Sequence, residues 1–206
     1  MLNPDLFLAY LLAAAALIIL PGPIVSLVIA QSLAHGRRTG LTVVAGAQFG
    51  TAILIAIGAI GLTTLLAFLA EFFDYIRWAG VAWLVYLGIK HWRAALRAAG
   101  DPTIALQPGR SVFWQGFLVG ATNPKTVLFY AAFFPQFIDP ALPAAPQLLF
   151  MSVGFLAIAV VLDGGYALLA GQVRPLLSGR RQVRVRNGIT GSLLIGTGIG
   201  LAMMRK

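Results

Sequence analysis

The chain has 206 residues, of which 59% are hydrophobic and only 10% are charged, and its mean hydropathy is +0.88. This composition excludes an ordinary soluble domain and indicates a polytopic membrane protein, and the lack of cysteine excludes disulfides, thiol chemistry and cysteine-based metal sites. The formal charge of +9 leaves two interpretations, nucleic-acid binding or a charge bias that sets membrane topology.

Six apolar runs follow one another along the chain. The first two each exceed the roughly 20 residues that a bilayer crossing needs. The first has no basic n-region and continues past its prolines, so it is predicted to be a spanning helix and not a cleaved signal peptide. The third has few uncharged residues and relies on snorkelling basic ends and interfacial aromatic side chains. The predicted spans are residues 6–34, 40–70, 75–96, 112–137, 147–170 and 187–204.

The basic residues fall in three clusters, and a pair of predicted spans separates each cluster from the next. The clusters hold eleven of the fifteen lysines and arginines: Arg37 and Arg38; Lys90, Arg93, Arg97 and Arg110; and Arg174, Arg180, Arg181, Arg184 and Arg186. If six helices cross the membrane, all three clusters lie on one side. The positive-inside rule makes that side cytoplasmic and places both termini outside. Charge is therefore expected to set topology, and no nucleic-acid partner is predicted.

One substantial loop, residues 98–110, divides the single transmembrane domain of residues 1–206 into two halves. Residues 1–97 form the first half, residues 111–206 form the second, and the loop is cytoplasmic. Each half has three spans, so the second half begins on the opposite side of the membrane. The sequence therefore predicts an all-α fold of six transmembrane helices in two inverted three-helix repeats.

Proline interrupts the first and the fourth predicted spans inside uncharged stretches. Proline removes a backbone donor and clashes with the preceding turn, so each helix should stop and restart within the bilayer. Freed N–H groups and a positive helix end can hold an anion, while freed carbonyls can hold a cation, which suits a zwitterion such as an amino acid. The alternative is a plain proline kink. The candidate substrate-binding residues are Pro21, Gly22, Pro23, Asn123, Pro124 and Lys125.

Two ionisable side chains, Lys125 and Asp163, remain inside the predicted spans. Isolated charges are costly in hydrocarbon, so each should face a cavity or a partner. One interpretation is a structural ion pair. The other assigns the substrate carboxylate to Lys125 and makes Asp163 a proton carrier, so that both residues serve ion coupling. The two interpretations are compatible if substrate or proton breaks the pair.

No catalytic group and no metal site is predicted, because the sequence offers neither a nucleophile with its base nor a carboxylate dyad. Residues 120–126 lack the glycine that precedes the lysine in a phosphate-binding loop. Energy should therefore come from an ion gradient. Three GxxxG pairs lie in predicted spans and favour tight packing within one bundle, while a homodimer stays open: Gly46 with Gly50, Gly116 with Gly120, and Gly196 with Gly200.

At these positions the chain resembles the LysE/RhtB family of bacterial amino-acid exporters. The matching segments, in family order, are Pro21-Gly22-Pro23, residues 35–40 (HGRRTG), residues 123–129 (NPKTVLF) and residues 133–137 (FFPQF). The resemblance implies a secondary transporter of the bacterial inner membrane that exports substrates such as homoserine, threonine or leucine. It implies the proton motive force as the energy source and no bound cofactor.

The resemblance also bears on the charge of the substrate. Exporters of lysine and arginine in this family carry an aspartate five residues after the proline of the Asn-Pro motif, where this chain has Phe129. Lys125 adds positive charge at the same place, so a neutral amino acid or small derivative is predicted. The expected mechanism is proton antiport with alternating access. The alternatives are an importer of the same solutes and a non-transporting membrane scaffold or partner subunit; an enzyme is not predicted.

Overall fold

The computed structural model describes residues 2–60, 75, 78, 81–93, 95–96, 112–174 and 180–203. All regular structure in this part of the chain is helical, which confirms the all-α prediction there. In chain order the elements are α1 (Pro4–Ile19), α2 (Pro23–His35), α3 (Arg37–Ile60), α4 (81–93), α5 (Val112–Ala121), α6 (Pro124–Leu128), a π-helical turn (Phe129–Phe133), a 3-10 turn (Phe134–Phe137), α7 (Ala144–Val173) and α8 (Arg180–Met203).

Two of these helices, the Arg37–Ile57 part of α3 and the whole of α7, are long and apolar enough to cross a bilayer alone. A third crossing arises if α1 and α2, which meet at a bend of 51°, form one broken span. The other predicted spans and their inverted order stay predictions. The predicted loop at 98–110 lies outside the described residues.

Helix α2 is central, and most of its residues are buried against α3, α7 and α8. It ends at Gly36, whose φ of 94° lies in the left-handed region that glycine tolerates best. The Gly36 N–H donates to the Ser32 carbonyl at 2.8 Å, and Arg174 Nε donates to the Ala34 carbonyl at 3.3 Å. These bonds satisfy carbonyls at the end of α2 and let α3 turn back beside it.

The backbones of α3 and α5 touch directly. Four glycines, two on each helix, have a backbone carbonyl of the other helix where a Cβ would stand: Gly46 against Phe113, Gly50 against Phe117, Gly116 against Val43, and Gly120 against Ala47. Packing within one bundle is thus confirmed for two of the three GxxxG pairs. The third is different, since a Cβ at Gly196 or Gly200 would meet no atom of the described residues within 4 Å.

Asn3 joins the start of α1 to the loop before α7. Its Oδ1 accepts from the N–H groups of Asp5 and Leu6, at 3.2 and 3.4 Å, and its Nδ2 donates to Asp139 Oδ2 at 3.1 Å. The Ala141 N–H donates to Asp139 Oδ1 at 2.9 Å. The bond from Asn3, followed by that from Ala141, lowers the pKa of Asp139 below its ordinary value.

This lowered pKa predicts how stability responds to acid. The ionised Asp139 stabilises the fold above its unfolded pKa of 3.8, and that contribution is lost as pH falls through the lower folded value. We expect the melting temperature of wild type to exceed that of Asp139→Asn at about pH 6, and this difference to be smaller at about pH 3, below the unfolded pKa of 3.8. Asn3→Ser keeps a capping oxygen and removes the Nδ2 donor. In a chain that carries Asn3→Ser, adding Asp139→Asn should therefore lower the melting temperature less at about pH 6 than it does in wild type. A gap of equal size at both pH values would contradict the assignment.

Candidate functional site

The two interrupted helices face each other. Helix α1 ends at Ile19, and the chain is extended at Leu20 and Gly22 before α2 begins. In the second interruption Asn123 caps α6, because its Oδ1 accepts from the Lys125 N–H at 3.2 Å. Both breaks predicted from the sequence are present as helix interruptions.

Lys125 reaches from the second break to the first. Its Nζ donates to the carbonyl of Leu20. A Cβ placed on Gly22 would lie 3.3 Å from Lys125 Cδ and 3.6 Å from Nζ, so glycine leaves room for this side chain. Nearby, Tyr166 Oη on α7 donates to the Ile19 carbonyl at 2.8 Å. Side chains from the second half of the chain therefore satisfy the carbonyls that the first break frees.

Asp163 lies on α7, is 2% exposed, and faces α3. Gln48 Nε2 donates to Asp163 Oδ2 at 2.8 Å. Among the buried side-chain oxygens without a hydrogen-bond partner in the described ranges, three belong to residues that line one cavity: Asp163 Oδ1, Gln48 Oε1 and Thr51 Oγ1. Unpartnered buried polar atoms are rare in folded proteins, so this cluster marks a site.

Lys125 and Asp163 line one narrow cavity without bonding each other. The cavity is small, about 30 Å³, and is also lined by Gly22, Gln48, Thr51, Asn123 and Thr126, with apolar walls. The ammonium of Lys125 bonds the Leu20 carbonyl and the carboxylate of Asp163 bonds Gln48. The direct ion pair considered for these residues is therefore not formed, and a positive and a negative group face one space.

A wider groove adjoins this cavity and runs between the two breaks and α8. Its volume is about 1,090 Å³, and it shares Leu17, Gly22 and Lys125 with the cavity. Its lining includes Pro21, Pro23, Pro124, leucine and isoleucine side chains, and the open glycine faces of α8 at Gly188, Gly196 and Gly200. A small cavity that contains buried polar groups and a wider, mostly apolar groove thus meet at Lys125.

A cluster of aromatic rings packs beside the cavity and contributes Phe155 to its lining. Tyr130 stacks on Phe134 with centroids 4.6 Å apart, and Tyr10 meets Phe134 edge-on at 5.6 Å. Phe129 packs against Tyr10 and Phe155, and Phe155 also lines the cavity. We call these five residues the aromatic layer. Two of them lie in the π-helical turn, a form that is frequent at functional sites.

All seven candidate residues from the sequence border the cavity or the groove. The cavity takes in Gly22, Asn123, Lys125 and Asp163, and the groove takes in Pro21, Pro23 and Pro124. Sequence reasoning missed Gln48 and Thr51. A signal was present, because an amide inside an apolar span is unusual and Thr51 lies three residues on, on the same helical face.

The chain was compared with known proteins. A family model described as LysE type translocator matches residues 15–205. The homoserine/homoserine lactone efflux protein of Salmonella typhimurium is 37% identical over 198 residues, which cover 96% of each chain. The leucine efflux protein of the same organism is 30% identical over 199 residues, covering 95% of this chain and 94% of the relative. An uncharacterized membrane protein of Vibrio cholerae is 34% identical over 196 residues, 95% of this chain and 96% of the relative. No solved structure matches the chain.

Proposed function

The chain belongs to the LysE type translocator family, and we propose that it exports a neutral amino acid or a small amino-acid derivative across the bacterial inner membrane by proton antiport. The observation that carries the proposal is the meeting of two interrupted helices at Lys125, beside the buried carboxylate of Asp163. Interrupted helices that converge on one site are the usual substrate-binding arrangement of secondary transporters.

The relatives and the packing around Phe129 both favour a neutral substrate. The named relatives export homoserine, its lactone, or leucine, none of which carries a charged side chain. Phe129 is 3% exposed and its ring packs in the aromatic layer, so no carboxylate is available there for a cationic side chain. The apolar groove would accept the side chain of a leucine-like or homoserine-like substrate.

Asp163 would carry the coupled proton. It is buried, and one of its oxygens has no partner in the described part of the chain, so that oxygen is free to take a proton. Intramembrane carboxylates of this kind recur in proton-coupled transporters. Lys125 would be the second ion-coupling residue, because it faces the same cavity. Its positive charge stabilises the ionised carboxylate of Asp163 and therefore opposes protonation.

Alternating access would come from rocking one inverted half (residues 1–97) against the other (111–206), with both termini periplasmic. Helices α1 and α2 pack on α7, while α5 packs on α3. Each interrupted helix thus contacts the second predicted span of the other half. This is the arrangement expected when two inverted repeats pack against each other. The aromatic layer would be the closed gate on one side of the cavity.

Efflux from intact cells tests this proposal. Cells with and without the protein are loaded with alanyl dipeptides of leucine, homoserine, threonine and lysine, and the released amino acids are measured. We expect faster release of one or more neutral amino acids and unchanged release of lysine. Faster accumulation instead of release would identify an importer, and identical fluxes for all four would favour a scaffold or partner subunit.

Lys125→Met should reduce efflux by about ten- to one hundred-fold, because a hydrogen bond to a charged group contributes roughly 1.5–3 kcal/mol. The substitution also leaves the Leu20 carbonyl without its donor. A control must therefore measure how much the loss of one such hydrogen bond at the first break reduces efflux. Tyr166→Phe does so, since it removes the donor to the neighbouring Ile19 carbonyl and leaves Lys125 in place. Similar efflux from both variants would assign Lys125 a structural role at the break and not a substrate contact.

A further inference from the structure

The three unpartnered oxygens form a site that is incomplete without a ligand. Asp163, Gln48 and Thr51 are 2%, 7% and 1% exposed. The Gln48 amide donates from Nε2 to Asp163 Oδ2, and its Oε1 is an acceptor that receives no hydrogen bond from the described residues. A buried acceptor without a donor carries a desolvation penalty, and here three such oxygens come from two helices that pack together.

The chemistry of this oxygen set selects the ligand. A carboxylate, an amide oxygen and a hydroxyl repel an anion and bind a group that offers several N–H donors with positive charge. An ammonium group meets this requirement, since it has three donors and no acceptor. Lys125, on the same cavity, has the opposite preference and suits a carboxylate.

We propose that Gln48, Thr51 and Asp163 bind the α-ammonium group of the transported substrate, and that Gln48 and Thr51 determine its specificity. This inference rests on the proposed function. The ammonium group lies in the small cavity, the carboxylate lies beside Lys125 where the cavity meets the groove, and the side chain extends into the groove past Leu17 and Gly22. Three oxygens bind the ammonium group, whereas the wide groove surrounds the side chain without close contact. The site therefore requires a free amine and tolerates different neutral side chains.

Competition in proteoliposomes tests the inference. Counterflow of radiolabelled leucine and homoserine is measured with unlabelled leucine, N-acetyl-leucine or leucine methyl ester as competitor. N-acetylation removes the charge and two donors, so N-acetyl-leucine should compete at least about tenfold less well than leucine. The methyl ester keeps its ammonium and should compete better than the N-acetyl derivative.

Substitutions at Gln48 and Thr51 test whether these two residues cause the discrimination against N-acetyl-leucine. Gln48→Leu and Thr51→Val should each raise the half-saturating leucine concentration by about ten- to one hundred-fold and shrink the discrimination against N-acetyl-leucine. Thr51→Ser keeps the hydroxyl and should restore that discrimination. Thr42→Val makes the same change at an exposed site on α3 and should leave counterflow unchanged. A merely structural role would alter the amount of folded protein without changing the ratio between the two competitors.

Three other outcomes would overturn the proposed ammonium site. Equal competition by leucine and N-acetyl-leucine in wild type would overturn the ammonium site and leave the exporter proposal standing. Counterflow that stops when choline replaces sodium, with no discrimination against N-acetyl-leucine, would show that the three oxygens hold a metal cation and would also overturn it. Absence of counterflow for both amino acids would overturn the proposed function and the site together.

Discussion

Asp163→Asn is expected to lower export by about one hundred-fold or more while the protein still folds. Removing one member of a buried charged interaction costs roughly 2–5 kcal/mol, and each 1.4 kcal/mol is about a factor of ten. Asparagine has nearly the same shape as aspartate and can still accept from Gln48 Nε2, so the α3–α7 contact is preserved. It can neither carry a proton nor offer a negative charge to an ammonium group.

The measurement pairs initial efflux rates with thermal melting of the purified protein. Asp5→Asn makes the same chemical change in the exposed first turn of α1, and it should affect neither quantity appreciably. The transporter interpretation requires lost flux with an unchanged melting temperature. If flux per folded molecule is unchanged and the melting temperature falls, Asp163 is structural and the scaffold alternative gains support.

The second large effect is on folding, at the contact between α3 and α5. Gly46→Ala places a methyl group where the Phe113 carbonyl now lies, and this backbone group cannot move unless the helices separate. Overpacking of this kind costs about 1–3 kcal/mol, which corresponds to a fall of roughly 2–12 °C in melting temperature for a chain of this size. The loss should extend to function, because α3 carries Gln48 and Thr51 while α5 leads to the second break.

Gly165→Ala is the matched control, since a Cβ there would lie more than 4 Å from every other side chain and helix in the part of the chain that the structure describes. Alanine is the better helix former, so this variant should melt at the same temperature as wild type or slightly higher. Equal melting of the two alanine variants would mean that the close approach of α3 and α5 does not stabilise the protein.

The helix breaks could be predicted from the sequence because their cause is local. Pro21, Pro23 and Pro124 each remove a backbone donor, and the effect does not depend on tertiary packing. The GxxxG pairs on α3 and α5 were visible for the same reason, since glycine spacing along one helix shows which face can approach another. Which helix each glycine face would meet could not be predicted.

The contents of the site depend on contacts between distant parts of the chain. The bond from Lys125 to the Leu20 carbonyl joins residues 105 positions apart, and that from Gln48 to Asp163 joins residues 115 apart. Single-sequence patterns report spacing within one helix and not such pairings. The sequence therefore identified both charges within the predicted spans and left open whether they bond each other, whereas the structure gives each a different partner and a shared cavity between them.

The most direct test of proton-coupled export uses proteoliposomes with an imposed pH gradient. With an acidic lumen and radiolabelled leucine or homoserine outside, antiport predicts accumulation in the lumen above the external concentration, because each proton that leaves drives amino acid inward. A proton ionophore, or the Asp163→Asn substitution, should reduce accumulation to equilibrium. Uptake that stops at equilibrium with the gradient intact, or that is the same with and without the gradient, would contradict proton-coupled export.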